Sequence, residues 1–169
     1  MILFADTNIL LDLMKIRLLE EFFAGKHEVC IEISVFEDEL ISPSGIQKVL
    51  LACGLQCIDM TNDEFILAQK TKRDKPKLSF YDCVAYAVAK IRGWTLLTGD
   101  RRLRKHAEEN RVVVHGLLWS VHECEKNGTK PEHIQYAVRE ILDNPKIHVP
   151  QELVYREFEY MLDCSSDEV

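Results

Sequence analysis

Short apolar runs of strand length alternate with helix-patterned stretches along the first 115 residues, and no other feature constrains the fold as strongly. Met1 to Ala5 is followed by Asp6-Thr7-Asn8 and a helical pattern through Met14. Glu28 to Ile33 predicts a second strand, Ser34 opens a helix that ends before Pro43, and a further helix runs from Ser44 to Cys53, closed by Gly54. Leu55 to Met60 predicts a third strand, after which Thr61 caps a helix reaching Lys72. Phe80 to Arg92 is strongly helical and ends at Gly93. Trp94 to Thr98 predicts a fourth strand, Asp100 to Glu109 a helix, and Arg111 to Val114 a fifth strand. Apolar strands separated by helices specify an α/β fold, a three-layer α/β/α arrangement around a largely parallel central sheet. Open sheets of this kind carry their sites beyond the carboxyl ends of the strands.

From His115 onward the pattern is helical, over Gly116 to Lys126, Pro131 to Leu142 and Gln151 to Leu162, with Asn144-Pro145 and Val149-Pro150 punctuating the last connection. A chain of 169 residues holds one well-buried core rather than two. The expected organisation is therefore a domain over 1–115 and a helical extension over 116–169 packed on it, with a frayed tail from Cys164. No segment approaches the ~20 apolar residues needed to cross a bilayer. No basic leader precedes an apolar run, so a cytoplasmic protein is expected, with no membrane partner. Cys53 and Cys57 have a C-x3-C spacing without a second pair or a suitably placed His, and the six cysteines read as reduced, structural thiols.

The net charge of −7 argues at first against a nucleic-acid partner. All of it resides in residues 107–169, because cations and anions balance over residues 1–106. The balanced part holds two basic clusters, one of Lys70, Lys72, Arg73, Lys75 and Lys77, the other of Arg101, Arg102, Arg104 and Lys105. Each lies a few residues from an acid of interest, which suits phosphate binding as well as a solvated face.

Four carboxylates stand out. Asp6 and Asp100 each follow an apolar strand and precede a helix, so each is either a helix cap or a crevice residue. Asp82 lies three residues after Ser79, a capping-box-like spacing that explains it structurally. Ser34 and Glu37 have the same spacing, which accounts for Glu37 and leaves Glu39 without a structural excuse; Glu37 is the reserve. Carboxylates gathered within ~4 Å repel by about 1 kcal/mol per pair in water and about 4 at an effective dielectric of 20. Such a cluster protonates a member or binds cations, and an all-oxygen set suits Mg²⁺ or Mn²⁺. The matching chemistry is metal-assisted phosphodiester hydrolysis.

Phe4-Ala5-Asp6-Thr7-Asn8-Ile9-Leu10-Leu11-Asp12, Ile33-Ser34 with Glu39-Leu40, Tyr81-Asp82-Cys83-Val84-Ala85-Tyr86-Ala87 and Leu96-Leu97-Thr98-Gly99-Asp100 together resemble the PIN domain, the fold of VapC-type toxin ribonucleases and related nucleases. Order and spacing agree over residues 1–115. The resemblance implies a Mg²⁺- or Mn²⁺-dependent endoribonuclease with RNA as substrate. Asp6, Glu39, Asp82 and Asp100 would form its acidic pocket, supported by Asn8 and Thr98. Lys70, Lys72, Arg73, Lys75, Lys77, Arg101 and Arg102 are the candidate RNA contacts. It also implies a toxin role, with an antitoxin-like protein inhibitor as partner. Arg102 and Leu103 stand where many relatives carry a further acid, which leaves the number of metals open. The acidic, amphipathic helices of the extension suggest a homodimer or partner surface.

Two other readings compete. A haloacid-dehalogenase-type phosphatase would need an acid where Asn8 stands, and so lacks its general acid. A catalytically silent PIN-like module would bind RNA or protein without cutting.

Overall fold

The structure is a computed structural model that describes residues 1–162; the expectation of a frayed tail from Cys164 falls outside the described residues. Five strands, β1 (Ile2–Ala5), β2 (Glu28–Glu32), β3 (Gln56–Ile58), β4 (Thr95–Leu97) and β5 (Val114–His115), form one sheet in the order β3-β2-β1-β4-β5. All four pairings are parallel, with Phe4 opposite Cys30 on one side of β1 and opposite Leu96 on the other. Successive residues of a strand face opposite sides of the sheet. Leu3, Phe4 and Ala5 are all buried, so both faces of the central strand are covered, as a parallel sheet requires.

The flanking helices up to β5 are α1 (Thr7–Lys15), α2 (Leu19–Phe23), α3 (Ile33–Glu39), α4 (Ile46–Cys53), α5 (Asn62–Asp74), α6 (Phe80–Arg92) and α7 (Arg101–Glu109). Helix α6 is buried without interruption from Cys83 to Ala89 and packs against β1, β2 and β4. Its three alanines and one cysteine in that stretch let the helix sit close to the sheet. Gly93 ends it in the left-handed conformation, at φ 66°.

The predicted pattern holds with shifts at the edges. Helix α2 was not expected, and the fifth strand begins later than the Arg111 of the sequence expectation. Arg111 adopts φ 61° and donates its N–H to the Glu108 carbonyl, closing α7 before the chain can extend. After β5 come α8 (Leu117–Lys126), α9 (Pro131–Asp143) and α10 (Gln151–Leu162). The apolar stripe of α9, Ile134, Ala137, Val138 and Ile141, is buried against α8 and α10 within the chain itself. Val154 and Phe158 of α10 are likewise fully buried. Among the described residues no helix is long and apolar enough to cross a membrane.

Candidate active site

The strand order reverses direction between β1 and β4, and a crevice opens beyond the carboxyl ends of strands at such a point. Asp6 follows β1 directly, and Thr98 follows β4. Their side chains meet: Thr98 Oγ1 donates to Asp6 Oδ2 at 2.9 Å, in a fully buried setting. The same hydroxyl oxygen accepts the Asp100 N–H at 3.0 Å, so one threonine joins the two strand-end aspartates.

Asp6 occupies the N-cap position of α1 without a well-formed side-chain capping bond, and the Asn8 N–H acts on its carboxylate less than the Thr98 hydroxyl does. Asp100 does cap, its Oδ1 accepting from the Arg102 and Leu103 N–H groups at 2.8 and 2.7 Å, which leaves Oδ2 unengaged. Asp82 completes the expected capping box with Ser79, through Oδ2 alone.

Glu39 is tied in by Thr7, whose Oγ1 donates to Glu39 Oε2 at 2.7 Å while lying 3.5 Å from Asp6 Oδ1. A hydroxyl has one proton to give, and the shorter contact takes it. Sequence reasoning did not single out Thr7; its only signal was its place between Asp6 and Asn8. Asn8 is exposed and, with Thr98 and Asp100, lines a cleft beside the carboxylates.

Burial pushes the Asp6 carboxyl up from 3.8 to about 6; the Thr98 hydrogen bond opposes the shift, and the charges of Asp82 and Glu39 add to it. Asp6 therefore feels both acids.

The expected capping box of Ser34 and Glu37 does not form. Helix α3 begins at Ile33, two residues earlier than its box requires, and Glu32 is the cap, its Oε2 accepting from the Ser34 and Val35 N–H groups. The Ser34 hydroxyl also donates to Glu32. Glu37 is exposed and caps nothing. Glu32 is 4% exposed and was missed, although it ends an apolar strand before a helix much as Asp6 does. Tyr81, next to Asp82, donates its hydroxyl to Asp38, next to Glu39, and so ties α6 to α3 beside the acids.

The two basic clusters differ. Lys70, Arg73, Lys75 and Lys77 are exposed, but Lys72 donates to the carbonyls of Pro76 and Leu78 at 3.0 and 2.5 Å and braces the loop into α6. None of these five residues lines the cleft. Arg101 and Arg102 are exposed and do line it. Arg104 reaches the Thr98 carbonyl at 3.3 Å, behind the bridging hydroxyl.

Among the described residues, no three His, Cys, Asp or Glu side chains stand together closely enough to hold an ion as they are arranged. The donor chemistry nevertheless suits a hard cation. The acids supply oxygen only, Asp82 and Asp100 each keep one oxygen unengaged, and buried Asp6 is held partly protonated near pH 6 beside two further anions. The free cysteines, Cys30, Cys53, Cys57, Cys83 and Cys124 among the described residues, take no part.

No curated protein and no solved structure matches the chain significantly. A family model with the description PIN domain matches residues 2–160, a span that includes α8, α9 and most of α10 as well as the sheet. The chain therefore belongs to the PIN-domain family, a family of nuclease-type modules.

Proposed function

We propose that the protein is a divalent-metal-dependent endoribonuclease that hydrolyses RNA phosphodiester bonds at the carboxylates around Asp6. The observation that carries this reading is Asp6 itself, buried at the switch point, bridged by Thr98 to Asp100, and pushed to about 6 with Asp82 and Glu39 contributing. Above that pH the group is ionised and the cluster calls for counter-charge. Asp6, Glu39, Asp82 and Asp100 would hold Mg²⁺ or Mn²⁺. A bound ion supplies positive charge to offset the negative charge that builds on the phosphoryl oxygens. Thr98 orients Asp6 and Asp100 toward the crevice, Thr7 orients Glu39, and Arg101 and Arg102 offer charge to the flanking phosphates.

The lack of a preformed three-ligand cluster among the described residues favours a second reading, a silent RNA-binding module. Cleavage of mixed-sequence RNA by the wild type and by Asp6→Asn, with Mg²⁺, with Mn²⁺ and with EDTA, separates the two. Metal-dependent cutting that disappears in Asp6→Asn is the expected result. RNA binding without cutting, and no binding of either ion, would favour the silent module.

A further inference from the structure

The cleft that begins at Asp100 extends far past the carboxylates. It encloses about 1340 Å³ and is lined both by the start of α7 and by the connection from α9 to α10, which contributes Lys146 and His148. That connection is built to a fixed course. The Asn144 side chain accepts the Lys146 N–H at 3.0 Å, the Asn144 carbonyl accepts the Ile147 N–H, and Ile147 is buried between its two exposed neighbours.

Charge in the cleft runs opposite to that of the chain. Lys15 is paired with Asp12 and Arg104 with Glu108, but among the described residues Arg101, Arg102 and Lys146 form no ion pair. Uncommitted cations along a groove that leads to an acidic pocket attract a polyanion. The volume exceeds the ~300–1,000 Å³ of a site for one small molecule, which suits several linked units. Between the cations the lining includes Val149, Leu153 and Trp119, one face of which is stacked by His115, alongside the acids Asp12 and Glu157. Bases stack on or pack against such surfaces only when they are unpaired.

We infer that this cleft binds single-stranded RNA next to the cleaved phosphate, with the α9–α10 connection supplying part of the binding surface through Lys146 and His148. The inference deepens the ribonuclease reading and rests on it for the identity of the polymer.

The test is anisotropy of a labelled, short, mixed-sequence single-stranded RNA in EDTA, so that binding is read without cutting. The proteins compared are the wild type, Asp6→Asn, Lys146→Gln/His148→Gln, and Lys48→Gln, an exposed cation outside the cleft. All are checked for folding by circular dichroism. Lys146→Gln/His148→Gln should bind ~3–10-fold more weakly at low salt, with the log–log salt slope flattened by ~0.7 for the lost lysine contact. Lys48→Gln should match the wild type, and an RNA duplex should bind more weakly than the single strand. Wild-type affinity in the double variant, equal affinity for duplex, or no RNA binding by the wild type overturns the inference. Stronger binding of poly-glutamate than of RNA overturns it in favour of an acidic protein segment. If the double variant loses affinity while no protein cuts RNA with either ion, the groove stands and the nuclease reading falls.

Discussion

Replacing Asp6 by Asn should stabilise the metal-free protein at neutral pH, and by an amount that depends on pH in a defined way. In the folded chain the Asp6 carboxyl titrates at about 6 instead of 3.8, chiefly because it is buried. Below pH 3.8 the group is protonated whether the chain is folded or not, and its ionisation contributes nothing. Between the two values the unfolded chain releases the proton while the folded chain keeps it, so stability falls as pH rises. Above about 6 the folded state carries the whole cost, ~3 kcal/mol for a shift of roughly two units at 1.36 kcal/mol each. An amide at this position keeps an oxygen to accept the Thr98 hydroxyl and has no charge to bury. Its fixed effects cancel when the mutant–wild type difference at pH 8 is compared with that at pH 3.5. That double difference should approach ~3 kcal/mol, or ~6–12 °C in melting temperature for a chain of this length. Thermal or urea unfolding in EDTA from pH 3.5 to pH 8 measures it. Adding Mn²⁺ at pH 8 should raise the wild-type melting temperature and leave the mutant's nearly unchanged. Parallel pH profiles for the two proteins would refute the assignment of Asp6 as a buried, charge-strained carboxylate.

Thr98→Val removes the hydroxyl shared by Asp6 and the Asp100 N–H; it should cost ~1–3 kcal/mol and move the pH midpoint of the Asp6 effect above that of the wild type, both read from the same unfolding series. Glu32→Ala should lose a helix cap worth ~0.5–2 kcal/mol, whereas exposed Glu37→Gln should stay within ~0.5 kcal/mol of wild type in urea unfolding. In an RNA cleavage assay Glu39→Gln should abolish cutting and Glu37→Gln should not; the reverse outcome would exchange their roles. Lys72→Met should lower stability by ~1–2 kcal/mol through its two lost carbonyl contacts, while Lys70→Met should leave the melting temperature unchanged.

The sheet was legible because each strand carries its own signal. Continuous apolar runs such as Leu3-Phe4-Ala5, and Leu96-Leu97 after buried Thr95, are what a strand buried on both faces demands, and helices between them force parallel pairing. Strand order was not legible, since it depends on which hydrophobic faces meet in space, and only that order brings Asp6 and Thr98 together. The Glu37 error has a local cause. A difference of two residues in the start of α3 moves the third helical position from Glu37 to Val35, and the long side chain of Glu32 then reaches N–H groups that shorter caps usually satisfy. Asp82 caps as its spacing predicts, and because it caps with one oxygen its charge still acts on Asp6. The basic cluster of Lys70 to Lys77 looked uniform in the sequence, and only the fold assigns Lys72 to backbone carbonyls.

Magnitudes also bear on the proposed role of Asp6. A carboxylate at the N-terminus of α1 gains ~0.3–1 kcal/mol from the helix dipole, and up to ~2 in favourable, partly buried geometry. That gain lowers a carboxyl's pKa, yet the net displacement at Asp6 is upward to about 6, so burial and the neighbouring anions outweigh the helix end and the Thr98 hydrogen bond combined. Of the α1 N–H groups only that of Asn8 acts on the carboxylate, and it does so less than either neighbouring anion. Asn or Ser would cap α1 at least as well and carry no buried charge. As a structural element, then, ionised Asp6 costs more than it contributes, which supports the proposed reading in which a cation shares the crevice with it. Asp100 is the contrast that sharpens the point. It follows the neighbouring strand, caps its helix through two backbone N–H groups, and by itself requires no functional explanation. Its link to Asp6 runs through Thr98, whose hydroxyl bonds the Asp6 carboxylate and the Asp100 N–H.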